Sequence, residues 1–172
     1  MVAPARVLVT AAAADLLQRL QASHGPVMFH QSGGCCDGSS PMCYPEGDFV
    51  VGDRDILLGL LDVSADGVPV WISGPQFTAW KHTQLVIDVV PGRGGGFSLE
   101  APEGVRFLSR GRAFTDVEID GLELDPPITG ADYEKGSRPA GPRGEIVAEA
   151  SDACPVPARR AAQIHGAAAI PT

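Results

Sequence analysis

Val27-Met28-Phe29-His30-Gln31-Ser32-Gly33-Gly34-Cys35-Cys36-Asp37-Gly38-Ser39-Ser40-Pro41-Met42-Cys43-Tyr44 begins as an apolar strand and, after His30, dissolves into glycine, serine and cysteine. Such a run buries little apolar surface and presents amides, thiols and hydroxyls. The strand therefore reads as buried scaffold and the loop as the site it delivers.

Upstream, Val7-Leu8-Val9 is a short apolar run, and Thr10 is placed to cap a helix over residues 11–23. Ala13, Leu16, Leu17 and Leu20 share one face of it, and Gly25-Pro26 ends it. Downstream, residues 48–51, 56–61 and 68–72 read as strands, with turns at Gly52-Asp53 and Asp66-Gly67. Ser73-Gly74-Pro75-Gln76 has the spacing of a capping box opening a helix through Phe77 and Trp80 toward His82. Residues 85–90 form the clearest strand, Pro91–Gly96 breaks it, Phe97–Glu100 is expected to return, and residues 105–108 add another. The fold class is α+β, a mixed or antiparallel sheet with two short helices in one domain over residues 1–115. Residues 116–172 are rich in Gly, Pro and acid. They are expected to be a poorly structured tail, extended or disordered, with a short helix near 158–165.

The 172 residues carry 13 basic and 21 acidic side chains, a net charge of −8, and the tail is the more acidic part, with 5 basic against 10 acidic. That balance argues against a nucleic-acid partner. No apolar run approaches the roughly 18 residues needed to cross a bilayer, so a soluble, cytoplasmic protein without a membrane partner is expected. Exposed strand edges would suit a homo-oligomer.

Three of the four cysteines share the loop. In a reducing compartment such clustering points to metal binding or thiol chemistry before disulfides. Cys35, Cys36 and Cys43, with His30 before them and His82 as a further donor, form a thiolate and imidazole set suited to iron, zinc, copper or an iron–sulfur cluster. The spacing is neither that of a zinc ribbon nor that of a ferredoxin. Two other readings stay open. Cys35 or Cys36 could attack a small electrophile such as an aldehyde with Cys43 resolving the product as a disulfide, or the protein could act only by docking on a partner. Asp88 interrupts an apolar strand, either on an exposed face or aimed at the loop. Gly92-Arg93-Gly94-Gly95-Gly96 lies between strands and opens no helix, so it reads as a tight turn and not a phosphate cradle. Cys154 reads as a spare thiol.

His24-Gly25-Pro26, Phe29 through Cys43, and Trp80-Lys81-His82-Thr83-Gln84 through Gly96-Phe97-Ser98-Leu99-Glu100 resemble the bacterial domain-of-unknown-function family numbered 779. That resemblance spans roughly residues 5–115 and implies an accessory of aldehyde or alcohol oxidation with an aldehyde dehydrogenase as partner. The order of elements is also similar to A-type iron–sulfur carriers of the HesB-like fold. That likeness matches Cys35 to the first cluster cysteine, and it requires residues 27–30 and 85–90 to be neighbouring strands of one sheet. The carriers' later Cys-Gly-Cys pair has no counterpart between Arg106 and Thr115, which leaves Cys36 and Cys43 as local substitutes.

Overall fold

The computed structural model describes residues 2–33 and 39–150. The chain runs β1 (Val7–Thr10), α1 (Ala11–His24), β2 (Val27–Gln31), β3 (Met42–Pro45), β4 (Ile56–Leu61), β5 (Val68–Ile72), α2 (Gly74–Trp80), β6 (Thr83–Pro91), a 3-10 turn (Ala101–Glu103) and β7 (Val105–Ala113). It ends in α3 (Asp116–Glu123), β8 (Ile128–Thr129), α4 (Gly130–Glu134) and β9 (Ile146–Val147).

The fold is mixed α+β, with two sheets ordered β7-β6-β1-β9 and β3-β2-β5-β4-β8. β1 runs parallel to β6 and β9, and β2 parallel to β5; β6–β7, β2–β3, β4–β5 and β4–β8 are antiparallel. The strands that the HesB-like likeness makes neighbours are therefore apart: β2 takes β3 and β5 as partners, whereas β6 takes β1 and its own hairpin mate β7.

The elements form for local reasons. Thr10 accepts from Ala13 N–H at 3.3 Å and so caps α1, and Gly25 ends that helix at φ 79°, a conformation open to glycine. The helix buries Ala13, Leu16, Leu17 and Leu20 in the main core with Val7 and Val9 of β1, Phe29 of β2, Val70 and Ile72 of β5, Leu85 and Ile87 of β6, and Phe107 of β7. Across the sheets Phe29 and Phe107 meet edge-on, ring centroids 4.8 Å apart. The opposite face of the second sheet buries Met28, Leu57 and Trp71 under Tyr44, Phe49, Val51, Ile128 and Tyr133.

Several expectations give way. Residues 48–51 are not a strand; Phe49 and Val51 lie over the sheet as a lid on its second face. The return from β6 is β7, nine residues in register, and not residues 97–100. Those residues instead cover the edge of β3, where Leu99 N–H donates to Cys43 O at 3.0 Å. At Ser73 the capping box is not made, since its side chain bonds no helix amide, and Gln76 Oε1 is buried without a partner.

The stretch expected to be extended is structured over residues 116–150. Thr115 and Glu118 close a reciprocal capping box on α3, and Thr129 and Asp132 do the same on α4. Ile119 and Leu122 of α3 pack with Ala3 and Phe114. The expected helix near 158–165 and Cys154 lie outside the described residues. No described helix is long and apolar enough to cross a membrane.

Candidate active site

Alternation along β2 sorts the candidate residues. Phe29 lies opposite Cys43 and faces the main core; His30 lies opposite Met42 and faces the other side. Cys43 is 0% exposed. Burial, with the nearby charge of Glu100, pushes its thiol far above the ordinary range, which disfavours a free nucleophilic thiolate at this position. The backbone around it is pinned: Cys43 N–H donates to Ser98 Oγ at 2.9 Å, and the Ser98 hydroxyl donates to Glu100. Glu100, 1% exposed, also accepts from Phe107 N–H at 3.3 Å.

On the opposite face His30, 4% exposed, sits in a hydrogen-bonded chain. Its Nε2 is 2.9 Å from Asp55 Oδ2, and its Nδ1 is 2.6 Å from Ser32 Oγ. Asp55 Oδ2 also accepts from Gly52 N–H at 2.8 Å. A carboxylate only accepts, so Nε2 carries a proton; in the neutral imidazole with that tautomer, Nδ1 accepts from the Ser32 hydroxyl. The imidazole lies against Phe49, centroids 4.2 Å apart, and Phe49 stacks on Tyr44 at 5.0 Å. Ser32 is exposed.

Asp55 is aimed by a turn, Asp55 N–H to Gly52 O at 3.0 Å, and the C-terminal segment clamps that turn. Gly130 N–H donates to Asp55 O at 2.8 Å and Ala131 N–H to Asp53 O at 3.1 Å. A Cβ on Gly130 would lie 2.0 Å from Gly52 O, so only glycine permits the approach.

Both ends of the cysteine loop are fastened near β7. The Gln31 amide donates to Gly33 O and accepts from Ser109 Oγ at 3.1 Å. Ser109 N–H donates to Ser39 O at 2.6 Å, and Arg106 donates to Ser40 Oγ at 3.0 Å. Cys35 and Cys36 lie outside the described residues.

His82 stands elsewhere. It precedes β6, five residues before Ile87, which pairs with Ser109 beside the loop, a strand distance of roughly 16 Å. Of the five expected ligands, Cys43 and His30 thus occupy opposite faces and His82 a third place. Among the described residues no three His, Cys, Asp or Glu side chains cluster as a metal site.

Asp88 points away from the loop. Burial would raise its carboxyl, but hydrogen bonds from Arg110 at 2.8 Å, Val89 N–H at 2.8 Å and the Thr10 hydroxyl at 2.9 Å hold it below the usual range. Ser32 and Asp55 are the site residues that sequence reasoning missed. Ser32 carried a signal, two residues beyond His30 on the same side of the chain. Asp55, 25 residues away, carried none.

Together the fold and these residues define a small protein of two mixed sheets around a main core, with a Ser–His–Asp chain of hydrogen bonds where β2 leads into the Gly/Cys stretch. The chain belongs to the family described as Domain of unknown function (DUF779), which matches residues 16–113. No curated protein and no solved structure matches it.

Proposed function

We propose that the protein is an enzyme that acts on a small carbonyl electrophile through Ser32, with His30 as general base and Asp55 holding that base in position. The observation that carries this reading is the pair of contacts on one imidazole, Asp55 at Nε2 and the exposed Ser32 hydroxyl at Nδ1. In the reaction Ser32 Oγ bonds to the carbonyl carbon of an ester while its proton passes to Nδ1. That proton then leaves with the departing alcohol, and water repeats the sequence to release the acid. The logic is that of a serine triad with the two ring nitrogens exchanged.

A second reading keeps the metal. A ligating histidine commonly donates its other N–H to a carboxylate, and Asp55 is placed for that. Rotating the Ser32 hydroxyl away would free Nδ1 to join thiolates of Cys35 and Cys36 on iron, zinc or copper. In that case the protein would be the metal-binding accessory to aldehyde or alcohol oxidation that the sequence resemblance implies.

One experiment separates the two. The full chain is treated with a fluorophosphonate probe, the adduct is mapped by peptide mass spectrometry, and metals are measured on the same samples. The enzyme reading expects a single adduct on Ser32, absent in Ser32→Ala and slowed roughly 10²- to 10⁴-fold in His30→Asn. No adduct, or one on another residue, overturns it. Near-stoichiometric metal, lost in His30→Asn and in Cys35→Ser/Cys36→Ser but kept in Ser32→Ala, establishes the second.

A further inference from the structure

His82, left out of the site, lines a groove of about 220 Å³ between α2 and α3. The apolar lining is Phe77 from α2, Ile119 and Leu122 from α3, and Pro126 and Pro127 beyond it. The polar lining is Lys81 and His82, which follow α2, and Glu123 at the end of α3. Lys81 and His82 are exposed, and among the described residues neither side chain takes part in a hydrogen bond or ion pair. Arg6 also reaches the groove, but its guanidinium is committed to Leu122 O at 3.1 Å and Asp125 O at 2.6 Å. No nucleophile poised by a base lines it.

We propose that this groove binds a short-chain aliphatic carboxylate, its alkyl chain on the Phe77, Ile119 and Leu122 lining and its carboxylate between Lys81 and His82. Size and charge select that class. The volume falls below the roughly 300–1,000 Å³ of sites for drug-sized ligands, so the occupant is small. Apart from the committed Arg6, the described lining offers the Lys81 ammonium and the His82 imidazole, a hydrogen-bonding ring, against the carboxylate of Glu123. A carboxylate therefore meets the Lys81 ammonium and the His82 imidazole, whereas an amine of the same length meets only Glu123 and an alcohol brings no charge to pair. The site is a binding site only, apart from Ser32 and His30 and independent of the reaction assigned to them.

Hexanoate is the probe, titrated into the full chain by calorimetry and by amide chemical-shift mapping, with hexanol and hexylamine alongside. Saturable binding with a dissociation constant of about 1 mM or tighter is expected, with shifts centred on residues 77–82 and 119–127. Lys81→Met is expected to weaken it about tenfold, which fits one lost charge-assisted contact. Glu123→Gln is expected to tighten it about two- to fivefold, because the acid of the described lining is removed. Lys81 and Glu123 are exposed, so both variants fold. The proposal is overturned if hexanoate does not bind, if hexanol or hexylamine binds as tightly, if the shifts centre elsewhere, or if Lys81→Met leaves the affinity unchanged.

Discussion

The two faces of β2 bury opposite chemistries within one residue of each other. Phe29 meets Phe107 and the Cys43 thiol in a dry core; His30 meets a carboxylate, a hydroxyl and an aromatic ring. A pleat of period two separates what the sequence places side by side, so Cys43 packs within the main core and His30 meets polar partners on the other face. The difference teaches that proximity along a glycine-rich stretch is no measure of proximity in the site. Asp55, remote in sequence, is the residue that His30 touches.

That contrast can be broken from either side. Phe29→Ala should remove the edge-on ring contact and leave a cavity. A loss of about 3–5 kcal/mol in urea unfolding is expected, and a loss below about 1 kcal/mol would show that the two sheets do not close over this core. Gly130→Ala tests the polar face through its support. The new methyl must push the Gly52–Asp55 turn aside, so stability should fall by about 1–3 kcal/mol, and fluorophosphonate labelling of Ser32 should slow with it. Labelling at the parent rate would mean that Asp55 does not need that clamp.

Cys43→Ser sharpens the dry face. A hydroxyl in that core should cost about 1–3 kcal/mol without changing the labelling of Ser32. In the native wild-type protein, Cys43 should also resist iodoacetamide over hours that suffice for full modification in urea. Rapid native alkylation would contradict its burial.

The smallest effect lies away from β2, on Arg112, which donates to Glu118 at 3.0 and 2.7 Å and holds that carboxyl down to about 2 from an ordinary 4.5. The folded value lies below the unfolded one, so this contribution is complete above about pH 5 and is lost as pH falls toward 2. Glu118→Gln should lower stability by about 1 kcal/mol at neutral pH and flatten the pH dependence of unfolding between about 2 and 4.5. An unchanged acid limb would show that the pair contributes nothing.

The sequence by itself determined the local elements whose signals are local. Thr10, the Leu16, Leu17 and Leu20 face and Gly25 define α1; the apolar runs at 27–30, 56–61, 68–72 and 85–90 appear as strands. It also marked His30 and the Gly/Cys loop beside it. Only the tertiary structure decided which strands pair, and hence that β2 and β6 lie in different sheets, because each strand's choice of partner depends on neighbours that periodicity does not name. The C-terminal segment shows the same limit. Its Gly, Pro and acidic composition reads as extended chain, yet two capping boxes and the close approach of Gly130 to Gly52 order residues that in turn hold Asp55 against His30. Long-range contact, with the entropy of closing a loop offset by burial and hydrogen bonds at its ends, is what composition cannot report.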